Sequence, residues 1–155
     1  MSAPIHVLFV CMGNICRSPA AEAVFLDKIS QAGVAGRFEV DSAGTGGWHA
    51  GEPADPRSAA EGERRGYRLD RPARQLTRQD GEHFDWLICM DENNRREMLR
   101  SGIPAAKIRL LTDWHPDPQV RAVDDPYYGG ADGFVTMYDR IEVACERLIA
   151  DLLTA

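Results

Sequence analysis

Two hydrophobic periods alternate along the chain. Residues 5–10 make a compact apolar run that reads as a buried strand. Ser18-Pro19 has the form of a helix start, with serine as cap and proline at the first helical position. Apolar positions follow at Ala20, Ala23, Val24 and Leu26, and the pattern fades near Ser30-Gln31-Ala32-Gly33. Residues 38–42 predict a second strand and lead into a glycine-rich loop over 44–51. Asp55-Pro56 repeats the cap-plus-proline signal for a helix that stops at Gly66. Residues 85–90 predict a third strand, 91–100 a helix ended by Gly102, and 108–111 a short fourth strand. Residues 112–130 carry three prolines and no period; a loop of that length inside a compact domain is functional or mobile. The last helix spans about 134–153, with Phe134, Met137, Tyr138, Ile141, Val143, Leu148 and Leu152 near one face.

Apolar strands alternating with helices imply parallel strands joined by helical crossovers. The expected fold is an α/β three-layer sandwich with a four-stranded parallel sheet, of the flavodoxin-like or Rossmann-like kind. The length of 155 residues fits one domain, 1–155, and no repeat or linker is visible. In such folds ligands bind outside the carboxyl ends of the strands.

Composition narrows the partners. The formal charge is −6, from 18 Lys and Arg against 24 Asp and Glu. This excludes the broad basic surface that nucleic acid or an anionic membrane requires, yet leaves room for a small anion pocket built of backbone N–H groups and one arginine. The apolar run at 7–10 is too short for a signal peptide or a membrane span, so a cytoplasmic protein is expected. The four cysteines (11, 16, 89 and 145) include no Cys-x-x-Cys pair, and a disulfide scaffold is not expected. Neither is a metal: histidines 6, 49, 83 and 115 are scattered, and none pairs with a cysteine at ligand spacing.

The chemistry concentrates between the first strand and first helix, in Cys11-Met12-Gly13-Asn14-Ile15-Cys16-Arg17-Ser18. A loop here sits at the sheet's carboxyl edge and opens onto a helix N-terminus, where exposed N–H groups and the helix dipole favour an anion. Gly13 and Asn14 tolerate positive φ, which lets N–H groups converge on one centre. Arg17 adds a planar fork for two oxygens. An ordinary thiol titrates near about 8.5 and is only roughly 3% thiolate at pH 7. Cationic neighbours and helix N-termini bring such thiols to about 3.5–7.5. The spacing of cysteine, five residues and arginine is weak alone, since Cys89 and Arg95 repeat it. That second copy has Asp91 and Glu92 inside it and no glycine, so Cys89 reads as a packed strand residue.

The run from Val7 through Cys11 and Arg17 to Pro19 resembles the phosphate loop of the low-molecular-weight protein tyrosine phosphatases. The resemblance extends through Asp41-Ser42-Ala43-Gly44-Thr45, Trp48, Asp55-Pro56-Arg57, Ala73-Arg74-Gln75, Cys89-Met90-Asp91 and Asp124-Asp125-Pro126-Tyr127-Tyr128-Gly129. It implies hydrolysis of phosphotyrosine and aryl phosphates through a cysteinyl-phosphate, with no metal or organic cofactor. Cys11 would be the nucleophile, Arg17 the phosphate clamp and Asp125 the general acid and base. Met12, Gly13, Asn14, Ile15, Cys16 and Ser18 would form the phosphate-binding loop, with Ser18 bonded to the Cys11 sulfur. Ser42 would brace the loop with Asn14, and Cys16 would be a redox partner able to form a reversible disulfide with Cys11. Trp48, Tyr127 and Tyr128 would line the substrate slot. The implied partners are phosphotyrosine-containing proteins, a tyrosine kinase among the candidate substrates.

One residue departs from the family pattern. Arg71 falls where many members carry a histidine ahead of Ala73-Arg74-Gln75, a change that touches the loop-bracing network and not the chemical residues. Rival readings are set aside on particular residues. A thioredoxin-coupled arsenate reductase needs two further cysteines in relay, and Cys89 and Cys145 lie far apart on a strand and a helix. Phosphoarginine phosphatases carry threonine where this chain has the apolar Ile15, which suits an aromatic ring. An intact Cys11, Arg17 and Asp125 argue against a mere binding module. No Gly-Lys-Ser/Thr is present for a nucleotide P-loop.

Overall fold

The computed structural model describes residues 3–155. Among them the strands are β1 (Ile5–Cys11), β2 (Phe38–Gly44), β3 (Trp86–Cys89) and β4 (Ile108–Leu110). The helices are α1 (Arg17–Gln31), α2 (Pro56–Arg64), the single turn α3 (Asp80–His83), α4 (Glu92–Arg100) and α5 (Ala131–Thr154). All strand pairs are parallel, in the order β2-β1-β3-β4. This is the four-stranded parallel sheet that the apolar runs predict. They are unbroken runs because both faces of the sheet are covered. Val7, Phe9 and Ile88 join the core under α1 and α5, while Leu8, Val10 and Leu87 pack with Met98 of α4, Phe84 and Ile103. The strand order reverses between β1 and β3, so the carboxyl end of β1 lies at the switch point where such sheets bind ligands.

Several boundaries move. β1 runs one residue further, to Cys11, and its thiol is fixed by the ladder to Gly44 of β2. Ser18 is not the cap of α1: the helix starts at Arg17, with Cys16 at the cap position and no capping side chain. The Ser18 hydroxyl is buried and turned to Cys11 and Asn14, so a residue with the chemistry of a cap serves the loop. Asp55 does cap α2, accepting from the Arg57 N–H at 2.8 Å, and Asp91 caps α4 through the Asn94 N–H at 2.7 Å. Leu111 leaves the strand for a 3₁₀ turn, Leu111–Trp114, that opens the long loop. α5 begins at Ala131, earlier than expected, and Val143 lies 40% exposed, off its buried face. Among the described residues no helix is long and apolar enough to cross a membrane.

Candidate active site

The loop after β1 is held from behind. Asn14 is the one non-glycine residue at positive φ (58°) among the described residues, a conformation asparagine tolerates better than most side chains. Its side chain explains why it stays there. Oδ1 accepts the Arg74 N–H at 2.9 Å, which fixes the amide so that Nδ2 donates to Ser18 Oγ at 2.8 Å and Ser42 Oγ at 3.0 Å. Ser42 in turn donates to Glu22 Oε1 at 2.6 Å. Gly13, expected at positive φ, is not there. Its small size is used differently, since a Cβ would come within 3.0 Å of His49 Cδ2. Gly44 has a stronger reason to be glycine: a Cβ would lie 2.8 Å from Met12 O and 2.9 Å from the Gly13 carbonyl carbon. The Thr45 and Gly46 N–H groups then donate to Cys11 O and Met12 O at 2.8 and 2.9 Å, stitching β2 to the loop.

Among the described residues, the N–H groups of residues 12–16 donate to no protein acceptor. Five successive N–H groups without a protein acceptor, at the start of a helix, make a cradle for an anion. The Cys11 sulfur lies 3.0 Å from Ser18 Oγ and accepts the Ser18 N–H at 3.4 Å. Arg17 is 1% exposed. Its Nη1 donates to Asp91 Oδ2 at 2.6 Å and to Val123 O at 3.1 Å, and Nη2 stands 3.6 Å from Asp125 Oδ2. Burial works against this charge. The Cys11 sulfur, Asp91 and Asp125 outweigh it and hold the guanidinium above its ordinary value.

A cavity of about 310 Å³ opens over this loop and brings Cys11, Arg17 and Asp125 to one space. Met12, Gly13, Ile15 and Cys16 also line it, whereas Asn14, Ser18 and Ser42 stand behind the loop. Trp48, Tyr127 and Tyr128 form walls; Trp48 is 72% and Tyr128 95% exposed, so their faces are available to a planar ligand. The Tyr127 and Tyr128 rings meet edge to face, centroids 4.9 Å apart. Arg57, itself paired to Asp55 at 2.9 Å, stacks over the Tyr127 ring at 5.4 Å.

Sequence reasoning missed two groups here. His49 lines the cavity, its Nδ1 2.9 Å from Glu52 Oε2, and nothing but adjacency to Trp48 signals it. Asp91, read only as the first residue of a helix and an acid beside Cys89, caps α4 with one oxygen and holds Arg17 with the other. Cys89 is a buried strand residue, its thiol pushed up to about 12 by burial. Burial, then Asp55 and Cys11, likewise raise the Cys16 thiol.

The comparisons with known proteins agree with one another. The family model described as low molecular weight phosphotyrosine protein phosphatase matches residues 6–155. A low molecular weight protein-tyrosine-phosphatase of Streptomyces coelicolor is 46% identical over 152 residues, covering 94% of this chain and 92% of that protein. A low molecular weight phosphotyrosine protein phosphatase of Schizosaccharomyces pombe is 43% identical over 141 residues, covering 89% and 90%. Among solved structures, a protein tyrosine phosphatase from Entamoeba histolytica superposes with a TM-score of 0.93 at 40% identity, covering 97% of each chain.

Proposed function

The chain belongs to the low molecular weight phosphotyrosine protein phosphatase family, and from that premise we propose that it hydrolyses phosphotyrosine in proteins, with Cys11 as nucleophile, Arg17 as clamp and Asp125 as proton donor and acceptor. The observation that carries this reading is the meeting of Cys11, Arg17 and Asp125 in one aromatic-walled cavity above five unpaired N–H groups.

In the first step the Cys11 sulfur attacks phosphorus in line. The S–P bond forms as the P–O bond to the tyrosine ring breaks, and Asp125 gives its proton to the departing phenolic oxygen. The loop N–H groups and Arg17 hold the equatorial oxygens, where charge is greatest in the transition state. In the second step Asp125 takes a proton from water, the water oxygen attacks phosphorus and the sulfur leaves. The Ser18 hydroxyl, 3.0 Å from the sulfur, eases that departure. Asp91 and Val123 O fix the guanidinium plane in advance, so little is spent on ordering it. Ile15, Trp48, Tyr127 and Tyr128 give a flat aromatic side chain apolar contact and leave its phosphate to the loop.

This reading takes residues 1–155 as one phosphatase domain, of which 1 and 2 lie outside the described residues. It sets the work in the cytoplasm, where thiols stay reduced, on phosphotyrosine-containing proteins, an autophosphorylated tyrosine kinase among the candidates to test. The test is a panel of phosphotyrosyl and phosphoarginyl peptides with wild type and Cys11→Ser. Phosphate release from phosphotyrosine by wild type, with binding but no turnover by Cys11→Ser, is expected. Faster turnover of phosphoarginine would overturn the substrate assignment.

A further inference from the structure

The four histidines look scattered in the sequence, but the fold brings two of them together. His6 stands near the start of β1, and its register partner across the ladder is Glu39 of β2. His83 is the last residue of α3 and leans over the same spot, the two imidazole centroids 4.7 Å apart. His6 Nε2 touches Glu39 Oε2, and His83 Nε2 lies 3.4 Å from that same oxygen. One donor atom from each of the three residues falls within 4.8 Å of the other two. We propose that His6, Glu39 and His83 form a divalent transition-metal site, with Zn²⁺ as the best-matched ion, that clips β1, β2 and the α3 turn together at the amino edge of the sheet.

The donor set is right for that class. Two imidazole nitrogens and one carboxylate, with a fourth position left to water, are a zinc ligand set, whereas calcium and magnesium prefer all-oxygen shells. At metal–ligand distances of about 2.0–2.2 Å, tetrahedral donors stand about 3.4 Å apart. The His83–Glu39 separation already has that value. The His6–Glu39 contact must open by about an ångström, the metal replacing the direct hydrogen bond between them. Glu39 can swing that far because its side chain is half exposed.

The surroundings orient the ligands. Asp85 Oδ2 accepts the His6 backbone N–H at 2.9 Å and lies 3.4 Å from His6 Nδ1. A carboxylate on that side directs the Nδ1 proton to itself and leaves Nε2 for the metal, as orienting carboxylates do for ligand histidines. Phe84 packs edge-on against His83 with centroids 4.9 Å apart, and against His6 at 6.5 Å, so both rings are braced by one aromatic. The cluster sits at the opposite end of β1 from Cys11, about 16 Å away along a strand rising ~3.3 Å per residue. It is separate from the cavity chemistry.

The test is calorimetric titration of Zn²⁺ into the full-chain Cys11→Ser protein, where the pocket sulfur cannot compete. His83→Ala and Glu39→Gln are made in the same background, with His115→Ala as control. One ion per chain is expected, bound at least ~10-fold more weakly after His83→Ala and less so after Glu39→Gln, with His115→Ala unchanged. Both altered side chains are half exposed, so the variants should fold. Co²⁺ in place of Zn²⁺ should give four-coordinate d–d bands with no thiolate charge-transfer band. No binding, equal binding by His83→Ala, or a thiolate band would each overturn the site.

Discussion

Arg71 Nη1 lies 2.9 Å from Glu22 Oε2, and this pair is the outer end of a chain that reaches the Cys11 sulfur. Burial raises the Glu22 carboxyl above its ordinary value, and Ser42 and Arg71 pull the other way. Oε2 accepts no hydrogen bond among the described residues, so the ion pair is its compensation. The charge on Glu22 sets a direction. An ionised carboxylate only accepts, so Ser42 must donate to it and accept from Asn14. Asn14 also donates to Ser18, whose own proton has the Cys11 sulfur at 3.0 Å and Ala43 O at 3.4 Å as acceptors. A neutral Glu22 could donate to Ser42 instead and release the Ser42 proton from that bond, although Asn14, held by the Arg74 N–H, donates to both serines in either case. Arg71, at the position of the family's histidine, holds this network through its ion pair with Glu22. Arg71→Ala should lower kcat by about 3–10-fold with a smaller change in KM, a modest loss because the arginine is half exposed. Arg71→His should restore the rate only below about pH 6.5, where the imidazole is charged. A pH profile of kcat that is identical for wild type and Arg71→His would remove Arg71 from the bracing role.

Asp125 stands at the mouth of the same cavity with its two oxygens divided. Oδ1 accepts the Tyr127 N–H at 3.0 Å, and Oδ2 is 3.6 Å from Arg17 Nη2. The first fixes the side chain on its loop; the second sets a carboxyl oxygen beside the guanidinium in the cavity. Asp125→Ala should slow phenyl phosphate by up to about 10²–10⁴-fold and an activated dinitrophenyl phosphate by much less. The slope of log kcat against leaving-group pKa should therefore steepen in the variant. Equal losses across the series would assign Asp125 another role.

The sheet was legible because burial on both faces makes each strand an unbroken apolar run; β1 and β3 are examples. The loop was legible because Cys11, Gly13, Arg17 and the helix after them are neighbours in sequence. What could not be read is what folding alone brings together. Ser18-Pro19 has the chemistry of a helix start, and only the inward turn of the serine to Cys11 shows that the hydroxyl is spent elsewhere. Asp91 caps α4 and also holds Arg17, and its place at the start of a helix says nothing about its second oxygen. His6 meets Glu39 through the β1–β2 register, and His83 joins them from the one-turn helix α3, too short to leave a periodic trace.

All four thiols are reduced and buried, yet they should differ in chemistry. Burial pushes Cys89 up to about 12 and raises Cys145 as well, so neither should be alkylated in the folded protein at neutral pH. Cys16 is also raised, but it shares the cavity wall with Cys11. Peroxide should oxidise the Cys11 sulfur to a sulfenic acid. The Cys16 thiol would then displace water from it, forming the Cys11–Cys16 disulfide. Wild-type activity lost to peroxide should return with dithiothreitol, whereas Cys16→Ser should lose most of its activity irreversibly. Mass spectrometry of peptides from the oxidised protein should find the Cys11–Cys16 link, and full thiol-dependent recovery by Cys16→Ser would rule it out.

Acid stability should depend on a carboxylate far from the cavity. Glu61 of α2 bonds Arg64 and, at 2.6 Å, Arg65 Nε; Arg65 continues to Glu142 at 2.6 Å and Asp139 at 3.0 Å on α5. The Arg64 hydrogen bond first, then Arg65 against the opposing cost of burial, hold the Glu61 carboxyl down to about 2 from an ordinary 4.5. A carboxyl lowered in the folded state stabilises the fold at every pH above its unfolded value. That contribution fades as pH falls from about 4.5 towards 2. Arg64 is well exposed, so solvent screening keeps the contribution modest. Glu61→Gln cannot ionise, and Arg65 retains its two acidic partners and the Val135 carbonyl on α5. The urea midpoint of the variant should therefore start lower at pH 7 and fall less steeply between pH 4.5 and 2 than that of wild type, with the m-value unchanged. Parallel curves through that window would mean that the α2–α5 junction owes nothing to the Glu61 charge.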